Sequence, residues 1–310
     1  MNAILSSKVS ILMNCHNGEK YLRQSLDSLL QQTYKNWEII FWDNQSTDKS
    51  ASIFKSYNDN RFKYYLAENY TDLGKARDLA SRYLDGEYIA FLDVDDLWLP
   101  KKIEIQIKKF LDKDVGVVIS NTDYFNDFKS RTLYPPGYQI KSDAEKMLLK
   151  KYNISLETVM IRRSLFGDKI FNSRYSYIAD FELIMRSLEN SKLAYCDQVL
   201  AKWRIHDHNC SWLFPKKFNQ EKKKWVQEKK LSEKYLNRYG DGLDYFENRL
   251  NCSRLINYSY KNKKKIKIRI IKILKFNFVI SWLVLFTIFN PFRDKIISHQ
   301  FNKYFLNDVD

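Results

Sequence analysis

Glycine and proline are scarce here, with eight and five among 310 residues. So few turn formers exclude a collagen-like or low-complexity chain. Cysteine is scarcer still. Cys15, Cys196, Cys210 and Cys252 lie far apart, so they form neither a zinc-type pair nor a disulfide framework. They read as reduced thiols of a cytoplasmic protein. Met1 to Lys8 lacks the charged start and apolar run of a secretory signal. Nothing before residue 270 resembles a membrane span. Acidic excess is also missing. The net charge is +15, and residues after 215 hold 22 Lys/Arg against 9 Asp/Glu. The front of the chain is therefore nearly neutral and the back strongly basic. Such a segment suits an anionic partner, either phospholipid headgroups or nucleic acid, or else forms a solvated lysine-rich helical face.

What is present is core material. Hydrophobic residues are 45% of the chain and aromatics 15%, and 310 residues suffice for one large domain with an appendage or for two modest domains. Val9 to Met13, Trp37 to Trp42, Phe62 to Leu66 and Tyr88 to Leu92 read as strands. Tyr21 to Gln32 and Lys75 to Leu84 read as helices, the first with apolar residues at Tyr21, Leu22, Leu26, Leu29 and Leu30. Residues 142–151 and 180–190 also read as helical. Strand–helix alternation predicts an α/β sheet with right-handed crossovers. In such sheets ligands sit beyond the carboxyl ends of the strands, so the polar runs after Met13, Trp42 and Leu92 fall on the functional edge. Tyr134-Pro135-Pro136-Gly137-Tyr138 reads as a mobile loop near the site or a surface connection. The composition changes after Pro215, which sets the expected domains at 1–215 and 216–310.

Asp93-Val94-Asp95-Asp96 follows a buried strand directly. Three carboxylates in four residues repel one another unless a cation or a set of donors neutralises them. Oxygen ligands with an open coordination sphere suit Mg²⁺ or Mn²⁺, which then meet substrate phosphates. The other reading is a helix cap by Asp96.

The acidic run has company. Val9 to Leu22, Ser28 to Tyr34, Glu38 to Asp48 and Gly86 to Pro100 together resemble the successive motifs of family 2 glycosyltransferases. The four segments stand in the family's order and cover roughly residues 8–105; a weaker similarity extends to about residue 212. The resemblance implies a GT-A fold, a Rossmann-like nucleotide-diphospho-sugar transferase domain, here with a C-terminal basic helical extension. It implies that Asn14, His16, Asn17 and Asp43 hold the nucleobase and ribose. Lys75 or Arg77 would sit near the base or diphosphate. Asp93 would position ribose or metal, and Asp95 would be the main metal ligand. His16 stands where tyrosine is frequent and Asn44 where a second aspartate is frequent, which leaves nucleotide identity open.

Further along, Tyr177-Ile178-Ala179-Asp180-Phe181-Glu182-Leu183 resembles the family's acidic segment, whose aspartate deprotonates the acceptor hydroxyl. Asp180 matches it, and a helix N-terminal acid is the alternative. Trp203 to Ser211 resembles a segment containing Arg-x-His. There His206 would approach metal or diphosphate and Arg204 would neutralise phosphate charge. His208 reads as an ordinary surface histidine.

Together these readings predict a metal-dependent enzyme using Mn²⁺ or Mg²⁺. It moves a sugar from a nucleotide-diphosphate donor, a UDP-sugar, to an acceptor hydroxyl with inversion. The acceptor would be a surface polysaccharide or lipid-linked glycan. Alternatives are a sugar-nucleotide nucleotidyltransferase and a non-catalytic nucleic-acid binder. The first lacks its Gly-rich loop at Asn14 to Gly18, and the second would not need Asp93, Asp95 and Asp180 together, so no nucleic acid is expected. Residues 261–292 combine clustered lysines with the apolar run Phe278 to Phe289. That run is short of the ~20 residues a span needs. The segment is expected to dock on the anionic inner face of the cytoplasmic membrane as an interfacial helix, or to pack as a core helix.

Overall fold

The computed structural model describes residues 3–140, 143–167 and 169–261. The chain divides into two compact units, Met1–Trp225 and Val226–Asp310.

The first unit is built on one sheet in the order β3-β2-β1-β4-β8-β6-β9-β5, with β7 paired to β6. Its parallel half comprises β1 (Val9–Cys15), β2 (Trp37–Asp43), β3 (Phe62–Leu66) and β4 (Tyr88–Phe91). β1, β2 and β4 are nearly continuous apolar runs with every or nearly every residue buried, as strands covered on both faces require. The helices between them are α1 (Glu19–Leu30), α2 (Ser50–Lys55) and α3 (Leu73–Ser81). α1 turns Leu22, Leu26 and Leu29 fully into the core, each worth about 1.5–3 kcal/mol of burial. In register, Cys15 pairs with Asp43 and Leu12 with Phe91. The loops after β1, β2 and β4 therefore leave the sheet at one edge.

The mixed half follows. β5 (Leu97–Trp98) leads into α4 (Lys102–Ile107); then come β6 (Val115–Phe125), β7 (Ser130–Thr132), α5 (Ala144–Lys150), β8 (Met160–Arg162), α6 (Ala179–Ser187) and β9 (Lys192–Arg204). β8 lies antiparallel between β4 and β6, while β6 and β9 run parallel with irregular register at Val115/Val117 and again from Ser120 to Thr122. β9 thus carries the chain back to the sheet edge where the β4 loop emerges. The Tyr134 to Tyr138 connection has Pro135, Pro136 and Gly137 at the surface and is anchored at its first residue. Tyr134 is 4% exposed, stacks on Tyr138 at 4.3 Å and exchanges hydrogen bonds with Asn121.

α7 (Cys210–Leu213) precedes α8 (Pro215–Lys230), and α9 (Glu233–Lys261) follows. In the second unit Lys230 Nζ contacts Asp244 and Glu247 at 2.5 Å each. Tyr235, Tyr239, Leu243, Phe246 and Leu250 make the buried stripe of α9, at helical steps of three and four. Among the described residues no helix is long and apolar enough to cross a membrane. All but the first residue of the expected membrane-docking segment, 261–292, lies outside the described residues.

Candidate active site

The acidic loop after β4 is clamped from two directions. Beneath it, the Ser25 hydroxyl of α1 lies 2.8 Å from the Val94 carbonyl and 2.6 Å from that of Asp96. Gly18 sits so close that an added Cβ would be 2.9 Å from Val94 Cγ2. From the far side comes the end of β9. Arg204 donates its backbone N–H to Asp96 Oδ1 and its Nε–H to the Asp95 carbonyl, both at 2.8 Å. Its guanidinium also reaches Gln24 and lies over the rings of Tyr21 and Phe125. Arg204 is 5% exposed, so in this structure it braces the acidic loop instead of presenting an open phosphate contact.

That brace delivers His206. Its Nε2 stands 2.8 Å from Asp95 Oδ2, and Asn209 fixes the His206 backbone N–H at 2.7 Å. The backbone N–H of His208 lies 3.2 Å from His206 Nδ1. Asp93 is met from the other side by Arg77 of α3 at 3.3 Å. Although the Asp93 side chain keeps 41% of its surface, its carboxyl is raised above the ordinary range. Lost hydration is the first cause; Asp95 and Asp180 add to it and Arg77 opposes it. Crowded carboxylates of this kind are what a divalent cation relieves; the carboxylate oxygens suit Mg²⁺ or Mn²⁺, and the imidazole nitrogen fits the softer Mn²⁺ better than Mg²⁺. Among the described residues no group of three or more His, Cys, Asp or Glu side chains is arranged to hold a metal ion. A cation held here by Asp95 and His206 would take its remaining ligands from substrate and water, as Mg²⁺ sites do.

Asp180 lies in the first turn of α6. Tyr152 donates its hydroxyl to Asp180 Oδ2 at 3.1 Å, and burial, with the Asp180 charge second, pushes the Tyr152 phenol well above its usual range.

The loops after β1 and β2 interlock. Asn17 adopts φ 56°, a left-handed conformation that asparagine tolerates, and its Oδ1 accepts from the Thr47 N–H at 2.8 Å. His16 is exposed, holds the Asn44 carbonyl at 3.0 Å through Nδ1 and lies 4.7 Å from the Tyr70 ring. Asp43 is 1% exposed and accepts from Ser46 N–H and the Tyr64 hydroxyl. It organises its loop from within. Asn14 Nδ2 is buried without a partner among the described residues. Lys75 is half-exposed, 3.5 Å from Asp78.

A second buried layer was not foreseen from sequence. Asp96 is 2% exposed and held well above the ordinary carboxyl range, by burial first and then by Asp95 and Glu157. Burial pushes Glu157 up to about 8 and the Lys102 amine down to about 7. Glu157 accepts from Thr122, and Lys102 Nζ donates to Gln106 and lies over Trp98.

Comparison with known proteins places this geometry. The family model for glycosyl transferase family 2 matches residues 10–174. The chain is 29% identical over 219 residues to the Escherichia coli UDP-Glc:alpha-D-GlcNAc-diphosphoundecaprenol beta-1,3-glucosyltransferase WfgD, covering 70% of this chain and 83% of that one. It is 35% identical over 209 residues to an uncharacterized glycosyltransferase of Rickettsia typhi, covering 65% of each. Its fold resembles S. aureus TarS 1-349 in complex with UDP-GlcNAc, with TM-score 0.63, 19% identity and coverage of 84% and 76%. It also resembles the mannosyltransferase PcManGT from Pyrobaculum calidifontis in complex with GDP-Man and Mn²⁺, with TM-score 0.58, 13% identity and coverage of 98% and 88%. The sheet, its edge loops and the family match agree: this chain belongs to glycosyl transferase family 2 and has the GT-A fold.

Proposed function

We propose that this enzyme transfers a glycosyl residue from a UDP-sugar to a hydroxyl of a lipid-linked glycan, with inversion, in the assembly of a surface polysaccharide. The observation that carries the reading is the meeting of Asp95 with His206 at 2.8 Å, in the loop where Arg77 meets Asp93 at 3.3 Å. Family membership favours glycosyl transfer over nucleotidyl transfer or nucleic-acid binding. The name of the E. coli relative motivates the UDP donor and the diphospholipid acceptor.

The nucleotide would lie across the loops bearing Asn14, His16, Asn17 and Asp43. The exposed His16 offers its ring to the base, and the orphaned Asn14 amide offers a donor. Lys75, Arg77 and Asp93 would line the ribose and diphosphate side. Asp180 would take the proton of the acceptor hydroxyl while that oxygen attacks the anomeric carbon opposite the leaving UDP. The new glycosidic bond forms as the bond to the diphosphate breaks, so the configuration inverts, and Asp180 ends protonated. Mn²⁺ or Mg²⁺ held by Asp95 and His206 would neutralise charge on the departing diphosphate. Arg204 would serve by holding the loop. The proposed catalytic domain spans 1–215 and the basic extension 216–310. That extension would keep the enzyme on the inner face of the cytoplasmic membrane, where such acceptors are anchored.

A thermal-shift panel tests the donor. UDP-Glc and UDP-GlcNAc should raise Tm when Mn²⁺ is present and do so weakly with EDTA, because a ligand stabilises only the state it binds. Stronger stabilisation by GDP-Man would overturn the UDP assignment.

A further inference from the structure

α6 carries the proposed base but has no capping side chain of its own, since its N-cap residue is Ile178. The lead-in is held from elsewhere. Glu221, on α8, places Oε2 at 3.1, 2.8 and 3.1 Å from the backbone N–H groups of Ser176, Tyr177 and Ile178, and Oε1 at 3.0 Å from that of Ser176. Three successive N–H groups converge on one carboxylate, an arrangement that binds anions and here is filled by the protein itself. One turn further along α8, Trp225 is 1% exposed and sets its ring edge-on to Phe181 at 4.9 Å. Phe181 is the neighbour of Asp180. The opposite side of the lead-in is fixed as well. Gly74 donates its N–H to Ser176 Oγ at 3.0 Å, and a Cβ there would be 2.1 Å from the Tyr175 carbonyl. Gly74 belongs to α3, the helix that sends Arg77 to Asp93. The segment Tyr175–Ile178 is therefore gripped between the helix of the donor side and α8.

We propose that Glu221 is a positioning residue for the reaction: by binding the three N–H groups ahead of α6 it aims the Asp180 carboxylate at the acceptor hydroxyl. The catalytic part of the chain thus runs past residue 215, where the composition changes, into the start of α8, within the compact unit that ends at Trp225. The inference rests on Asp180 being the base. Among the described residues Glu221 hydrogen-bonds to backbone N–H groups and forms no hydrogen bond or ion pair with Asp93, Asp95 or His206, so its loss should disturb proton removal and leave donor binding alone. Glutamine keeps the shape and can set its one acceptor oxygen where Oε2 stands, but it loses the charge and turns an NH₂ group toward the Ser176 N–H.

The test uses the full-length chain, the donor chosen by the panel above and GlcNAc-diphosphoundecaprenol as acceptor probe. For the wild type, Glu221→Ala, Glu221→Gln, Asp180→Asn and the Glu221→Ala/Asp180→Asn pair, kcat, donor KM and UDP affinity are measured. Misplacing a catalytic group by about 1 Å costs on the order of 10²-fold, so Glu221→Ala should lower kcat about 10- to 100-fold with donor KM and UDP affinity within about twofold. Glu221→Gln should fall between it and the wild type. Added to Asp180→Asn, Glu221→Ala should cause little further loss, because residues acting through one group are not additive. Ordinary kcat in Glu221→Gln and Glu221→Ala beside an inactive Asp180→Asn would overturn the inference alone. Parallel loss of UDP affinity in both Glu221 variants would also overturn it, leaving a purely structural cap. An Asp180→Asn enzyme with full turnover would remove the base assignment and this inference together.

Discussion

Asp95 and His206 are 111 residues apart in sequence and 2.8 Å apart in space. The contact exists because Arg204, two residues before His206, is tied to the backbone of Asp95 and the carboxylate of Asp96. The geometry of the proposed metal site is thus set by the end of β9 as much as by the β4 loop. Asp95→Ala should abolish transfer, and EDTA should reproduce the loss. His206→Ala should raise the Mn²⁺ concentration for half-maximal turnover about 10- to 100-fold. Titrating Mn²⁺ into both variants checks this; full activity of either in metal-free buffer would contradict it.

Gly74 has no room for a side chain. A Cβ would stand 2.1 Å from the Tyr175 carbonyl oxygen, which is backbone and cannot swing aside. Gly74→Ala should therefore destabilise the fold by about 1–3 kcal/mol through overpacking and lower turnover, because the lead-in to α6 shifts. Chemical denaturation measures the first effect. Unchanged stability would mean that the contact relaxes freely.

Glu157 gives a pH dependence whose sign can be worked out. Its folded pKa of about 8 lies above the ordinary carboxyl value of 4.5. The unfolded chain therefore releases this proton first as pH rises, and stability is lost progressively from about pH 4.5 to about 8. Glu157→Gln keeps an acceptor for the Thr122 hydroxyl and has no proton to lose. Its Tm relative to wild type should rise between pH 5 and pH 8 and level off above that. A constant difference across the range would show that Glu157 is ionised in the folded protein.

The parallel half of the sheet was legible in the sequence because both faces of its strands are covered. Val9-Ser10-Ile11-Leu12-Met13 and Tyr88-Ile89-Ala90-Phe91 are nearly pure apolar runs, and the polar loops after them mark the functional edge. In the mixed half the helices at 142–151 and 180–190 were legible and correspond to α5 and α6, but the strands were not. β5 has two residues, and β7 and β8 have three each, too few for any periodicity to register, while the longer β6 and β9 mix apolar and polar residues without strict alternation. Asp180 and His206 were proposed from their motifs, and the structure sets His206 against Asp95. Glu221 could not be, since a carboxylate that caps a segment 43 residues away leaves no local pattern. Nothing in the sequence sets Lys102 or Glu157 apart from other charged residues, and only the packing of Trp98 and Gln106 around the lysine, with Thr122 on the glutamate, shows that they are buried.

The basic end of the chain carries its own test. Seven Lys/Arg cluster between residues 263 and 275, and each near an anionic surface contributes about 1 kcal/mol. Full-length protein should co-sediment with phosphatidylserine-containing vesicles and ignore neutral ones. High salt should release part of it, because screening weakens the charge contribution and leaves apolar insertion intact. Indifference to anionic vesicles would withdraw the membrane site.

The assignment of the reaction turns on Asp180. The most direct measurement is UDP release from the selected UDP-sugar onto a lipid-linked acceptor by Asp180→Asn, with donor affinity measured alongside. Asparagine preserves the shape and the contact with Tyr152 and removes the basicity. Turnover should fall roughly 10²-fold or more while UDP-sugar binding stays within about twofold of wild type. Ordinary turnover in Asp180→Asn would contradict the mechanism and move the proton acceptor elsewhere.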